Sequence, residues 1–122
     1  MPKSILIVDD SATVRTVIRA FLEGQTNFAV CGEAADGVDA IEKAKALKPD
    51  LIVLDLAMPG MNGIEAAAVL KDLMPNVPIV LFTMYSEVLG QSLTSAVGVN
   101  LVLSKPDGMG KLVESVQNLL AS

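Results

Sequence analysis

The sequence predicts one doubly wound α/β domain built on a parallel sheet. Two observations carry this. Five short runs rich in Val, Ile and Leu recur at intervals of 22–28 residues, and the segments between them have the spacing of amphipathic helices. A third observation is the length of 122 residues, enough for one independent core without disulfides or a structural metal. Parallel strands require long crossovers, and here each crossover has room for a helix.

The elements follow in order. Ser4–Val8 reads as the first strand, a buried apolar run. Val14, Val17, Ile18, Phe21 and Leu22 then share one helical face, with Gly24 expected to stop that first helix. Residues 28–32 are the second strand, and Ile41, Ala44 and Leu47 mark a second helix ended by Lys48-Pro49. Leu51–Leu54 is the third strand, and residues 64–74 form a third helix ended by Pro75. Proline lacks the N–H that would continue either helix. Residues 79–82 are the fourth strand; Leu89, Leu93, Ala96 and Val97 mark a fourth helix before Gly98. Leu101–Ser104 is the fifth strand, and Met109, Leu112, Val113, Val116 and Leu120 face one side of a fifth helix. No linker or low-complexity tract interrupts the chain, so residues 1–122 are expected to be one domain.

Composition excludes several chemistries. There is no histidine, which removes Ser-His-Asp and Cys-His catalysis, HExxH sites and zinc fingers. Cys31 is the single cysteine, so no internal disulfide forms; it is read as a small buried hydrophobe in a reducing, cytoplasmic setting. Nine Lys+Arg against 14 Asp+Glu give a net charge of −5, and aromatics are 3% of residues with no Trp. Nucleic acid rewards a basic face and stacking platforms, and neither is present. No apolar run approaches a membrane span, and the N-terminus lacks the layout of a secretory signal.

In open α/β sheets, ligands bind beyond the carboxyl ends of the strands. There the sequence places Asp9-Asp10, Asp55, Thr83 and Ser104-Lys105-Pro106, while the second strand delivers nothing comparable. Three converging carboxylates repel one another unless a cation lies among them, and a hard divalent ion such as Mg²⁺ suits an all-oxygen donor set. A carboxylate can also be a nucleophile toward phosphoryl groups, with Lys105 and Thr83 placed to neutralise and hydrogen-bond the transferred group. Capping of the first helix by Asp9, Asp10 or Ser11 accounts for one acidic residue, but not for two plus Asp55.

Taken together, Ile-Leu-Ile-Val-Asp9-Asp10, Pro49-Asp50-Leu-Ile-Val-Leu-Asp55, Met58-Pro59-Gly60-Met61-Asn62-Gly63, Thr83 and Lys105-Pro106 give a chain that resembles the receiver domains of two-component response regulators over essentially its whole length. The resemblance implies a flavodoxin-like (βα)5 fold with strand order 2-1-3-4-5. It implies that Asp55 is the phosphoacceptor, that Asp10, Asp55 and the backbone carbonyl of Ala57 ligate Mg²⁺ (Mn²⁺ substituting), and that Asp9 acts mainly through water. Lys105 and Thr83 would hold the phosphoryl oxygens, and the Lys105-Pro106 bond would match the family's cis peptide. The donor would be a histidine kinase, a histidine phosphotransfer protein or a small acyl phosphate. The output would be a downstream protein or output domain, with homodimerisation through the face of helix 4, strand 5 and helix 5. Nucleic-acid and membrane contacts are not expected. On this reading the chain is not an enzyme and assists only its own phosphorylation and dephosphorylation.

Three departures from the family pattern stand out. Val102 occupies the position of an aromatic residue that swings between two orientations, leaving Tyr85 as a substitute switch element. Met84 is bulkier than usual after the threonine, and Ala57 offers only its carbonyl. The switch-associated set is thus Thr83, Met84, Tyr85, Val102, Lys105 and Pro106. These departures sustain an alternative, a constitutive receiver-fold scaffold that signals by binding without phosphorylation. A phosphatase would want a second carboxylate at position 57, and a flavin carrier would want a phosphate loop where Asp9-Asp10-Ser11-Ala12 stands. Gly108-Met-Gly110-Lys111 lacks the spacing and following Ser/Thr of a phosphate loop. Asp36-Gly37 and Asp50 read as turn or cap residues. Thr13, Arg15, Thr16 and Arg19 are candidate exposed positions for kinase selectivity on the first helix.

Overall fold

Residues 2–55, 63–83, 101–105 and 108–121 are described by a computed structural model. The strands β1 (Ser4–Val8), β2 (Ala29–Ala34), β3 (Leu51–Leu54), β4 (Ile79–Thr83) and β5 (Leu101–Ser104) pair in parallel as one sheet of order β2-β1-β3-β4-β5. This is the expected order. The helices are α1 (Ala12–Gln25), α2 (Gly37–Leu47), α3 (Gly63–Leu73) and α4 (Met109–Leu119). The expected helix around Leu89 and Val97 falls outside the described residues, so α4 corresponds to the fifth helix of the sequence reading.

The strand alternation sorts the core into two layers. Ile5, Ile7, Leu51, Val53, Val80, Phe82 and Leu103 pack with Ile18 and Leu22 of α1 and Leu112 and Val116 of α4. Leu6, Val8, Ile52, Leu54, Ile79 and Leu81 pack on the other face with Ala40 and Ala44 of α2 and Ala66, Ala67 and Leu70 of α3. Successive strand side chains point to opposite faces. Both faces of the sheet are therefore covered, which explains why β1, β3 and β4 read as unbroken apolar runs. The alanines of α2 and α3 contribute little bulk and let those helices lie close to the sheet.

Three local expectations are corrected. Residues 28–32 mark β2 too early; the strand runs Ala29–Ala34, and a register shift between Ile5 and Leu6 sets Leu6 opposite Gly32 and Ile7 opposite Glu33. The buried stripe of α1 is narrower than its spacing suggests, since Val17 and Phe21 are 39% and 37% exposed. Gly24 does not stop α1. The helix continues to Gln25, and Thr26 ends it by donating both its N–H and its hydroxyl to Leu22 O, then accepting from the Phe28 N–H at 3.0 Å. A Cβ added at Gly24 would meet nothing within 4 Å. Gly24→Ala is thus expected to raise stability by about 0.5–1 kcal/mol through reduced backbone entropy in the unfolded chain. Urea denaturation of the two proteins checks this.

Asp36 and Asp50 take structural roles, as the sequence suggests. Asp36 caps α2, accepting from the Asp39 N–H at 2.8 Å. Asp50 accepts from the Ser4 N–H at 2.7 Å and so ties the start of β3 to the start of β1. At the C-cap of α2, Lys48 adopts the left-handed conformation (φ 49°) immediately before Pro49. Gly108, with φ 91°, occupies a conformation that a side chain would strain, just ahead of α4. Among the described residues, no helix is long and apolar enough to cross a membrane.

Candidate functional site

The register of the sheet brings the strand-end residues together. Val8 lies opposite Leu54, so Asp9 and Asp55 leave the sheet side by side. The Asp55 N–H donates to Val8 O at 2.9 Å and the Asp9 N–H to Ala34 O at 3.0 Å, extending the ladder one residue beyond the strands. Continuing the alternation Ile5–Ile7–Asp9, Leu51–Val53–Asp55 and Leu101–Leu103–Lys105 puts all three polar residues on the side of the sheet that carries α1 and α4.

One carboxylate oxygen from each of Asp9, Asp10 and Asp55 lies within 4.8 Å of the others. Asp9 and Asp55 are 2% and 6% exposed, whereas Asp10 is exposed. Lys105 Nζ reaches across from β5, 2.7 Å from Asp9 Oδ2 and 3.3 Å from Asp55 Oδ2. Burial alone would push the Lys105 ammonium down. The hydrogen bond that the ammonium donates to Asp9 and the charges of Asp55 and Asp9 outweigh it, holding the pKa above the ordinary lysine value. The second oxygen of Asp9 accepts from the Ser11 N–H at 2.9 Å, so both are engaged within the protein. Ser11 in turn caps α1, accepting from the Val14 N–H at 3.2 Å. Capping therefore accounts for Ser11 and for the turn around Asp9, while leaving the convergence of three carboxylates to a different cause. Thr83 is fully buried at the end of β4, opposite Ser104.

Such a donor set fits a hard divalent cation. All three groups are oxygen donors, one is open to solvent, and a single lysine offsets only part of their charge. Of the other sequence-predicted site residues, Ala57, Met84, Tyr85 and Pro106 lie outside the described residues. Val102 is half-buried and packs against the layer that includes Leu81. Cys31 is half-buried rather than buried; burial pushes its thiol up, Asp50 adds to this, and the Sγ lies 3.5 Å from Ile5 O. That environment disfavours the thiolate.

Two expectations about α1 and β2 are corrected. Thr13 and Thr16 are exposed, but Arg15 and Arg19 are half-buried and both are tied to Glu33 of β2, at 3.0 and 2.8 Å. Arg15 Nη1 also donates to the backbone carbonyl of Asp9. The second strand thus does send a group toward the site. Its sequence signal was a pair of arginines four apart on the first helix and a lone acid in a strand otherwise built of small residues.

The chain's relatives agree with this geometry. The family model described as "Response regulator receiver domain" matches residues 5–117. The chain is 47% identical over 87 residues to "Response regulator protein VraR" of Staphylococcus saprophyticus, covering 71% of this chain and 42% of that one. It is 42% identical over 83 residues to "Protein-glutamate methylesterase/protein-glutamine glutaminase" of Clostridium acetobutylicum, covering 68% of this chain and 24% of that one. Among solved structures, a two-component response regulator of the LuxR family from Aurantimonas sp. SI85-9A1 superposes with a TM-score of 0.91 at 30% identity, covering 99% of this chain and 86% of that one. The chain therefore spans less than half the length of these two curated relatives. The expectation that the chain is not an enzyme is corrected here, because a relative that aligns with 68% of this chain is named as an enzyme. That expectation followed from the resemblance to receiver domains; the match covers 24% of the enzyme's chain. The sheet order, the acidic cluster and the match over residues 5–117 lead to one assignment: the chain belongs to the response regulator receiver domain family, whose setting is two-component signalling.

Proposed function

We propose that the chain receives a phosphoryl group on Asp55. The supporting observation is a nearly buried Asp55 carboxylate that shares an acidic cluster with Asp9 and Asp10 and lies 3.3 Å from the Lys105 ammonium. An Asp55 oxygen attacks phosphorus in a phosphohistidine of a histidine kinase or phosphotransfer protein, or in a small acyl phosphate. The bond from phosphorus to the imidazole nitrogen or carboxylate oxygen breaks, and its electron pair leaves with that group. Mg²⁺, or Mn²⁺ in its place, would be held by Asp10 and Asp55, with the Ala57 carbonyl that the family resemblance adds, and would supply positive charge for the phosphoryl oxygens. Asp9, with both oxygens engaged, fixes Lys105 and acts on the cation through water. Lys105 and the Thr83 hydroxyl bind the transferred oxygens.

The acyl phosphate replaces the single carboxylate charge with about two on the phosphoryl group, a net gain of about one negative charge, and this changes the surface that binds a downstream protein, an output domain or a second copy. The setting is cytoplasmic, and residues 1–122 act as one receiving domain. Intact-mass spectrometry after incubation with acetyl phosphate tests this. A Mg²⁺-dependent gain of one phosphoryl group that Asp55→Asn abolishes is expected. A wild-type protein that takes up no phosphoryl group from acetyl phosphate or from a phosphorylated kinase would transfer the role to a constitutive binding scaffold.

A further inference from the structure

We propose that Arg15, held in place by Glu33, is a positioning residue for the divalent-cation site. It acts by fixing the peptide between Asp9 and Asp10. The inference rests on the reading of Asp9, Asp10 and Asp55 as a cation site.

Asp9 is gripped at every polar atom. Its N–H donates to Ala34 O, its side-chain oxygens meet the Ser11 N–H and Lys105 Nζ, and its carbonyl accepts from Arg15 Nη1. The last of these sets the direction of Asp10. A peptide unit is planar, so anchoring the Asp9 carbonyl orients the Asp10 N–Cα bond and with it the exposed carboxylate that must meet Asp55. Among the described residues, no hydrogen bond or ion pair holds the Asp10 carboxylate itself.

Glu33 makes Arg15 rigid enough for this task. Its Oε1 holds Arg15 Nε at 3.0 Å and its Oε2 holds Arg19 Nε at 2.8 Å, one oxygen per guanidinium. From the other side, Lys43 Nζ donates to the Glu33 backbone carbonyl. The planar guanidinium presents donors in a fixed fork, so orienting Nε on Glu33 aims Nη1 at the Asp9 carbonyl. Simple alternation from Val30, which lies in the α1 layer, would send Glu33 to the opposite face of the sheet. The register shift in β2 sets Glu33 opposite Ile7 instead, on the α1 side. The irregularity in the strand is what brings the acid to the two arginines.

A merely structural salt bridge predicts that the loss of either arginine acts on stability alone. A positioning role predicts that they differ, because Arg19 touches Glu33 but not Asp9. The test is Mg²⁺ affinity by calorimetry, with thermal midpoints measured in parallel. Arg15→Met is expected to weaken Mg²⁺ binding about tenfold, in line with loss of an outer partner of a metal ligand. Arg15→Lys, which keeps the charge but not the fork, fails to restore it, and Arg19→Met stays within about twofold of wild type. Glu33→Gln weakens binding, and adding it to Arg15→Met brings no further loss, since both act through one contact. In acetyl phosphate assays, Arg15→Met raises the Mg²⁺ half-saturation while leaving the rate at saturating Mg²⁺ near wild type. Equal Mg²⁺ affinities for wild type and Arg15→Met, or equal losses in Arg15→Met and Arg19→Met, would overturn the positioning role alone. A wild-type protein that binds no Mg²⁺ would overturn it together with the cation site on which it rests.

Discussion

Replacing Lys105 with Met is expected to destabilise the Mg²⁺-free protein by about 3–5 kcal/mol, the usual consequence of removing one partner from a buried ion pair. Lys105 has 16% of its side chain exposed, and its partners Asp9 and Asp55 have 2% and 7%. Without the ammonium, two buried carboxylates face each other and the exposed Asp10 with no cation among them. The protein then either takes up a proton or unfolds more readily. Saturating Mg²⁺ restores much of the loss, because the ion supplies the missing charge, and urea denaturation in EDTA and in Mg²⁺ measures both effects. The pH dependence has a definite sign. The folded pKa of Lys105 lies above its ordinary value of 10.5, so its contribution is complete below that value and disappears as pH rises through the raised pKa. A Lys105→Met protein as stable as wild type in EDTA would show that the lysine is not what holds the cluster together.

The second large effect reverses with the metal. Asp10 places a third negative charge within 4.8 Å of Asp9 and Asp55 but is exposed, so solvent weakens the repulsion. Asp10→Asn is therefore expected to stabilise the protein in EDTA by about 1 kcal/mol. In Mg²⁺ at about 100 times its dissociation constant, the wild type gains about 2.7 kcal/mol by linkage, while the mutant gains little. The order of the two denaturation midpoints thus inverts between EDTA and Mg²⁺. A mutant that loses stability in EDTA, or that gains as much from Mg²⁺ as the wild type, would separate Asp10 from the cation site.

The parts of the fold that were legible in the sequence share one property. The strands β1, β3 and β4 are covered on both faces, so burial forces a continuous apolar run that marks its own ends. Asp9, Asp55 and Thr83 were found for the same reason, each being the first polar residue after such a run. β2 lies at the sheet edge with one neighbour, and its mixed composition hid both its end and its register shift. Glu33 was missed with them, and Arg15 and Arg19 were consequently read as exposed. Gly24 misled because a glycine is a stop signal only where the backbone needs it, and Thr26 performs that task with its own side chain.

The most direct test of the central claim is to locate the phosphoryl group. After incubation with acetyl phosphate and Mg²⁺, borohydride reduces an acyl phosphate to the corresponding alcohol, converting a phosphorylated aspartate to homoserine. Peptide mass mapping then reads the position. Conversion at Asp55, dependent on Mg²⁺ and sharply reduced in Asp10→Asn, is the predicted result. Conversion at Asp9 or Asp10 instead, or a phosphoryl group that resists borohydride, would contradict the assignment of Asp55 as the acceptor.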